Sequence, residues 1–359
     1  MSDICSFICP SEKMCQNKCI KGIKGSSVEI KLLENFVNSW AKINNIEYNY
    51  NCKTKKNIKV AVIGSGPSGI SCSVELTKLG YDVTIYEKET NIGGLLRYGI
   101  PDFRLSKDIL CDLEKKLKKL NIKIVTNSEY GKDITINNLK KNGYKSIFLA
   151  CGASKGITYK LSNNNSNIYE ANDFLNKYHK SKIDKDLGTV AIIGGGNVAM
   201  DVSRICKKLN SKEVYVLYRG PVQKMSAREK EINSVIKENI KIMHLTKVLS
   251  CTHENNKLKY ITCIKTETKE NNIIEIESSE FNLNVDAIVF AIGNIPNREL
   301  FEKEGLLFTD FLLKVDENMM TNIKGVFAGG DLIQSKASVC EAIKTGKIAA
   351  ENIEKYLNI

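Results

Sequence analysis

No apolar run in the chain approaches the roughly 20 residues needed to cross a bilayer, and the first residues lack a charged-then-apolar signal pattern. Both absences predict a cytoplasmic protein with no membrane contact. There is no Arg-rich block with interleaved aromatics, because the lysines behind the net charge of +12 are spread along the whole chain. Nucleic-acid binding is therefore not expected. None of the twelve cysteines is spaced CxxC, which excludes a thioredoxin-type redox pair and the paired ligands of a zinc ribbon. Most of them, including Cys72, Cys151 and Cys263, sit singly inside apolar stretches, as reduced thiols filling a core do. A catalytic triad is also missing. His179, His244 and His253 lie in ordinary polar or strand contexts and receive no role.

What is present is length and periodicity. At 359 residues and 42% apolar content, the chain has material for two domains and an appendage. The appendage opens MSDICSFICPSEKMCQNKC, with Cys5, Cys9, Cys15 and Cys19 spaced x3, x5, x3. That spacing raises iron–sulfur ligation, complete or incomplete. SSVEIKLLENFVNSWAKI follows, where Ile30, Leu33, Val37, Trp40 and Ile43 recur at helical spacing behind a Ser cap; the pattern predicts a helix that docks by one face. EYNYNCKTKKN is polar and aperiodic, a linker that places a boundary near residue 56. Beyond it IKVAVI, DVTIYE, SIFLACG, TVAIIGG, EVYVLYR, DAIVFAIG and GVFAGGD alternate with helical segments, which predicts an α/β fold with parallel sheet. The Asn/Lys-rich stretches NNNSN at 163–167 and KENNII near 269 read as surface loops without function.

VAVIGSGPSG, a helix through Leu79 and DVTIYEK form a complete βαβ unit with Gly64, Gly66, Pro67, Ser68 and Gly69 at its turn. The first glycine permits the tight turn, the second lets a pyrophosphate approach the backbone, and the third lets helix and strand pack closely. Phosphate charge then meets the helix N-terminus. Glu87, followed by Lys88, ends the second strand and is placed to accept from an adenosine ribose without a 2′-phosphate. A second copy, TVAIIGGGNVAMDVSRICKKL with EVYVLYR, carries Gly194, Gly196 and Ala199, and ends in Arg219 where a carboxylate would serve an unphosphorylated ribose. An Arg there can pair a 2′-phosphate bidentately, and Arg228 is near enough in sequence to join it or to be a solvated helix charge. One plain and one phosphorylated dinucleotide predict FAD and NADPH held face to face for hydride transfer, which needs orientation but no protein acid, base or nucleophile.

NIGGLLRYGIPDFRLSK, IGGGNVAMD, YRGPVQKMSARE, GVFAGGDLIQSKASVCEAIKTGKIAA and the cysteine segment together resemble the small (β) subunit of NADPH-dependent glutamate synthase. The same module resembles the FAD/NADPH portion of dihydropyrimidine dehydrogenase and the larger subunit of electron-bifurcating ferredoxin:NADP oxidoreductases. The resemblance covers essentially the whole chain. It implies a two-dinucleotide-binding-domain flavoprotein with a Rossmann-like FAD domain and an inserted NAD(P)H domain: 1–55 a partial iron–sulfur-type helical segment, 56–155 and 291–359 the FAD domain, 156–290 the NAD(P)H domain. It also implies that Gly93, Gly94 and Leu95 line the FAD diphosphate and ribityl region, that Arg104 contacts FAD, and that Asp331, after Gly330, meets the ribityl chain. The helix starting near Ala337, with Ser338 and Val339, would point its positive end at the flavin. For NADPH it implies Asn197, Val198, Ala199 and Met200 at the helix start, Arg219 and Arg228 at the 2′-phosphate, and Ala291 and Gly293 in FAIGN. Gly220 stands where many members have a second Arg, so NADH becomes an alternative.

In this family CxxxCPxxxxCxxxC is the second half of a two-cluster domain whose first half, a CxxCxxxxCxxxCP run, lies upstream; with Met1 four residues before Cys5, that half is expected to be missing. By position, Cys9 and Cys15 would serve one [4Fe–4S] cluster and Cys19 the other, with Glu34 where the family supplies a non-cysteine ligand and Cys5 not a ligand. A cluster completed by a partner, a single cluster on all four cysteines, zinc, and protonated thiols all remain open. The expected function is an FAD-dependent NAD(P)H oxidoreductase that passes electrons to a partner subunit or a ferredoxin-like, acidic carrier. The alternatives are a non-catalytic nucleotide-binding regulatory or assembly module and an NADH-dependent ferredoxin-type oxidoreductase subunit.

Overall fold

The computed structural model describes residues 1–46, 50–162, 166–183, 186–270, 272–335 and 338–358. In chain order it begins with helices α1 (Ser2–Ile8) and α2 (Ile30–Ile43), between which short 3₁₀ turns carry Cys15 and Cys19. Next come β1 (Lys59–Ile63), α3 (Pro67–Lys78), β2 (Asp82–Tyr86), α4 (Leu95–Tyr98), α5 (Lys107–Lys119), β3 (Lys123–Val125), α6 (Ile136–Lys141) and β4 (Ser146–Leu149). The middle of the chain holds β5 (Lys155–Gly156), β6 (Ile168–Glu170), α7 (Ala171–His179), β7 (Thr189–Ile193), α8 (Asn197–Lys208), β8 (Glu213–Tyr218), α9 (Glu229–Lys237) and β9 (Lys241–His244). An antiparallel run follows, β10 (Thr246–Glu254), β11 (Lys257–Lys269), β12 (Asn272–Glu275) and β13 (Phe281–Asn284), then β14 (Ala287–Phe290) and β15 (Asn294–Ile295). The chain ends with α10 (Arg298–Glu302), the hairpin β16 (Phe308–Thr309) and β17 (Leu312–Leu313), β18 (Val326–Ala328) and α11 (Val339–Leu357).

Two compact units result, one of residues 1–154 and 295–359, the other of residues 155–294. The first is built on a parallel sheet of order β18-β4-β1-β2-β3. Strand periodicity divides its apolar residues between two faces. Val60 and Val62 pack with Ile70, Leu76 and Ile353 from α3 and α11, whereas Ala61 and Ile63 pack with Leu139, Phe301 and Leu332. Strand order reverses at β1, so the crevice beyond its carboxyl end is a topological switch point.

The second unit repeats the plan. Its parallel sheet has the order β6-β14-β7-β8-β9 and reverses at β7. Val190 and Ile192 face α8, and Ala191 and Ile193 face a layer of Val248, Ile261 and Cys263 from the antiparallel strands. Of KENNII, Lys269 ends β11 and Asn272–Ile274 belong to β12, while Asn271 lies outside the described residues, as do residues 163–165 of NNNSN.

Two expectations change. Residues 47–49 of the linker lie outside the described residues; residues 50–57 have no regular structure, yet they are held in place: Lys53 and Lys56 donate backbone bonds to the Lys78 and Gly80 carbonyls, and the Lys56 ammonium meets Glu354 at 2.8 Å. Helix α2 forms where the periodicity puts it, but it has no buried residue and its N-cap is Glu29 rather than Ser. Leu33, Val37, Trp40 and Ile43 are 52–79% exposed. The helix meets its neighbours through polar groups instead, with Asn38 accepting from Ser2 and Lys42 paired to Asp112 at 2.7 Å.

Candidate functional site

Each switch point is closed by the same contact. In the first unit Gly64, at φ +101°, leaves space where a Cβ would lie 2.4 Å from the Ala150 carbonyl oxygen. In the second, Gly194, at φ +146°, does so 2.2 Å from the Ala291 carbonyl oxygen. The flanking ladder matches too. Ala150 donates to Ile63 at 2.7 Å and Gly64 to Tyr86 at 2.8 Å; Ala291 donates to Ile193 at 2.8 Å and Gly194 to Leu217 at 3.0 Å. Only glycine fits such a turn, with its left-handed backbone pressed against a neighbouring strand.

At the first loop, Gly66 is the N-cap of α3, with no side-chain cap and no heavy atom within 4 Å of where its Cβ would be. Pro67 starts the helix, and Gly69 packs on Gly64. Gly94, at φ +52°, faces Gly66 across 3.2 Å from its would-be Cβ, so two glycines border open space at a helix N-terminus. A pyrophosphate fits this cradle, since uncapped N–H groups and the helix dipole favour an anion and no Cβ intrudes. Glu87 is buried and accepts from the backbone N–H of Ser65 at 3.0 Å and of Glu89 at 2.9 Å, and from the Ser65 hydroxyl. Ser65 also takes the Gly93 N–H at 3.0 Å. One hydroxyl therefore ties the ribose acid to the second glycine turn, and Glu87 Oε1, which accepts only from Glu89, keeps a lone pair for a ribose. Lys88 is exposed, Leu95 is exposed at the start of α4, and Arg104 is half-buried.

The far side of the cradle comes from the last segment. Gly330, at φ +69°, donates to Thr345 Oγ1 at 2.9 Å, and Thr345 lies 3.4 Å from the Ser68 hydroxyl. Asp331 sits in the 3₁₀ turn here, and burial pushes its carboxyl up to about 6. Val339 is the first residue of α11, whose N-cap Ser338 accepts from Glu341 at 3.2 Å. Ala337 lies outside the described residues. Sequence alone does not mark Ser65 or Thr345 as functional. The signal for Ser65 is its place inside the glycine loop; Thr345 has none short of the packed helix pair.

In the second unit Gly196 is the N-cap of α8 and Val198 lies in its first turn. Ala199 and Met200 point into the hydrophobic core, so only their backbone can serve a ligand. The loop after β8 folds back over this helix start: Asn197 Oδ1 accepts the Arg228 N–H at 2.9 Å, and Ala227 donates to Gly195 at 3.0 Å. Arg228 is buried as the N-cap of α9 rather than a solvated helix charge, while Arg219 is exposed at the end of β8. Gly220 is wedged against Tyr218 and Ile273, with its would-be Cβ 3.0 and 3.2 Å from them. Gly293, at φ +123°, lies after β14 beside Ile157.

The N-terminal cysteines lie on α1 and the short turns that follow it. Among the described residues no three His, Cys, Asp or Glu side chains are arranged to hold a metal ion. Cys9 Sγ lies 3.8 Å from Met14 Sδ, while Cys19 Sγ accepts the Val28 N–H at 3.4 Å, which holds its thiol below the usual range. Burial, with the neighbouring Cys340, pushes Cys9 up to about 11; burial also raises Cys5. Glu34 is exposed and acts electrostatically on Cys5 and Cys340. A single cluster on all four cysteines therefore has no ready-made site among the described residues, whereas Cys9 and Cys15 on one cluster and Cys19 on another would need no three of them together.

Comparison with known proteins agrees with the fold and the paired loops. Residues 58–346 match the pyridine nucleotide-disulphide oxidoreductase family, and residues 1–46 match dihydropyrimidine dehydrogenase domain II, 4Fe-4S cluster. The NAD-dependent dihydropyrimidine dehydrogenase subunit PreT of Escherichia coli K12 is 34% identical over 99% of this chain and 81% of its own length. The glutamate synthase [NADPH] small chain of Azospirillum brasilense is 27% identical over 99% of this chain and 78% of its own. The structure of Mycobacterium tuberculosis FprA in complex with NADPH superposes with a TM-score of 0.72 at 17% identity, covering 84% of this chain and 85% of that one, which is a likeness of fold. No helix among the described residues is long and apolar enough to cross a membrane. The chain belongs to the pyridine nucleotide-disulphide oxidoreductase family, as an NAD(P)H-dependent flavoprotein oxidoreductase.

Proposed function

We propose that the first unit holds FAD and the second NAD(P)H, and that the protein delivers electrons from NAD(P)H to a partner subunit in the cytoplasm. The observation that carries this reading is the duplicated glycine turn, Gly64 on Ala150 and Gly194 on Ala291, each opening a helix at a switch point. FAD, when bound, supplies the two-electron acceptor for the nicotinamide hydride. The chain's own residues bind and orient. Gly66 and Gly94 admit the diphosphate, Glu87 accepts from the ribose while Ser65 fixes its carboxylate, and Asp331 accepts from a ribityl hydroxyl.

For the donor, Arg219 is the exposed cation that directly follows β8, since Arg228 is buried and Gly220 brings no charge. One exposed cation supports only weak selection for a 2′-phosphate, so NADPH and NADH both serve, with kcat/KM values within about tenfold of each other. A partner is supported by the nature of the relatives, which are subunits or chains of larger enzymes by name. It is also supported by the exposed apolar stripe on α2, a surface of the kind that proteins cover. The cytoplasm is supported by the twelve free cysteines.

The test is anaerobic. FAD-reconstituted protein is titrated with NADPH and, separately, NADH; bleaching of the flavin band by either is expected, and no bleaching by both overturns the proposal.

A further inference from the structure

The two glycine cradles differ at one point. Beyond its own neighbours in the chain, nothing among the described residues comes within 4 Å of where a Cβ would lie at Gly66, whereas at Gly196 the Ser226 hydroxyl oxygen is 3.3 Å from it. Ser226 belongs to the segment between β8 and α9, not to the helix it faces. That segment is laid across the start of α8. Ala227 donates its N–H to the Gly195 carbonyl at 3.0 Å, Arg228 donates its N–H to Asn197 Oδ1 at 2.9 Å, and beside them the Ser226 hydroxyl meets Gly196. Met225 and Ala227, on either side of Ser226 in the chain, are buried in the core that α8 also faces. Farther along, Arg204 of α8 is paired at 2.7 Å to Glu238, the residue that caps the far end of α9. Ser226 itself is exposed. Its position is thus set by its neighbours, while its hydroxyl stays on the solvent side of the cradle.

We propose that Ser226 is a diphosphate-binding residue of the second unit, its hydroxyl donating a hydrogen bond to a diphosphate oxygen of NAD(P)H. The inference rests on the reading of this unit as the NAD(P)H site. Gly196 leaves open the space a phosphate needs to reach the helix start, and α8 has no side-chain cap there. A hydroxyl 3.3 Å from the centre of that space is within reach of an oxygen that enters it. A diphosphate oxygen only accepts, and a serine hydroxyl rotates to donate. The helix therefore supplies backbone donors, and Ser226 adds one from a second element. NADPH and NADH share the diphosphate, so this contact adds affinity for both and selects neither. Arg219, at the 2′-phosphate, acts on NADPH alone.

The test compares Ser226→Ala and Ser226→Thr with the unaltered protein, each as the full chain reconstituted with FAD, in NAD(P)H:dye reduction. Ser226→Ala should raise KM for NADPH and for NADH by the same factor, about tenfold, as one lost hydrogen bond to a charged group does, with kcat within about twofold and flavin content unchanged. Ser226→Thr keeps a hydroxyl and should restore most of the loss. Two inhibitors separate a lost contact from a displaced loop. ADP-ribose carries the diphosphate and should inhibit Ser226→Ala more weakly by that same factor, whereas 2′-AMP carries none and should inhibit both proteins equally. An unchanged KM, a loss confined to one nucleotide, or equal weakening of ADP-ribose and 2′-AMP would each overturn the inference and leave the NAD(P)H reading standing. No flavin reduction in the unaltered protein would overturn both.

Discussion

A methyl group added at Gly69 would lie 2.0 Å from the Gly64 carbonyl oxygen, a backbone atom that cannot move aside without opening the turn. Gly69→Ala should therefore destabilise the fold by about 2–3 kcal/mol and lose FAD on gel filtration, read from urea melts and the flavin-to-protein ratio. Asp331 makes an opposite case. Its folded value of about 6 lies above the ordinary carboxylate value of about 3.9, so the flavin-free folded state holds the proton more tightly than the unfolded chain. Stability is then fully present below about pH 4 and is lost as pH rises through about 6. Asp331→Asn should flatten that slope and make the flavin-free protein more stable at pH 7, by up to about 3 kcal/mol, while weakening FAD binding. Urea midpoints at several pH values decide it; an unchanged slope in the variant means another group titrates. Sequence made the glycines legible because the turn requires their lack of a Cβ. The Ser65 link to Glu87 and Gly93 was not legible, because a small polar residue inside a loop has many uses and only the folded turn selects one.

At the scale of elements, periodicity located α2 but not its surroundings. Apolar residues at helical spacing report that one side of a helix avoids water, without saying what covers it. Here nothing among the described residues does. Phe36 and Trp40 are 66% and 52% exposed. Replacing both with Ser should leave the thermal midpoint within about 2 °C and NAD(P)H:dye reduction unchanged, since isolated surface changes usually stay within about 0.5 kcal/mol. Binding of an apolar fluorescent dye should fall. A large loss of stability would show that the stripe is packed after all. The parallel strands were legible as runs of small and β-branched residues buried on both faces. The antiparallel layer is hidden in the sequence for the complementary reason. KLKYITCIKTETK is laced with Lys, Thr and Glu, and its core side emerges only when Leu258, Ile261 and Cys263 are seen against β7 and β14.

For the whole molecule, composition bears on where electrons go more than on how they enter. A net charge of +12 on 359 residues surrounds the protein with a positive field that draws acidic carriers and repels a second copy. Lys18, Lys21 and Lys24 are exposed in and after the N-terminal turns that precede α2 in the chain. If the acceptor is an acidic protein docking there, its reduction should slow by on the order of tenfold as salt rises from 0.05 to 0.5 M, because the screening length shrinks from more than 10 Å to under 5 Å. Reduction of a small neutral dye depends on no such encounter and should change little over the same range. Stopped-flow rates with both acceptors, at fixed NAD(P)H, separate the two. Equal salt sensitivity would place the effect in donor binding at Arg219 instead. No salt dependence with the acidic carrier would mean that the apolar stripe, not the lysines, selects the partner.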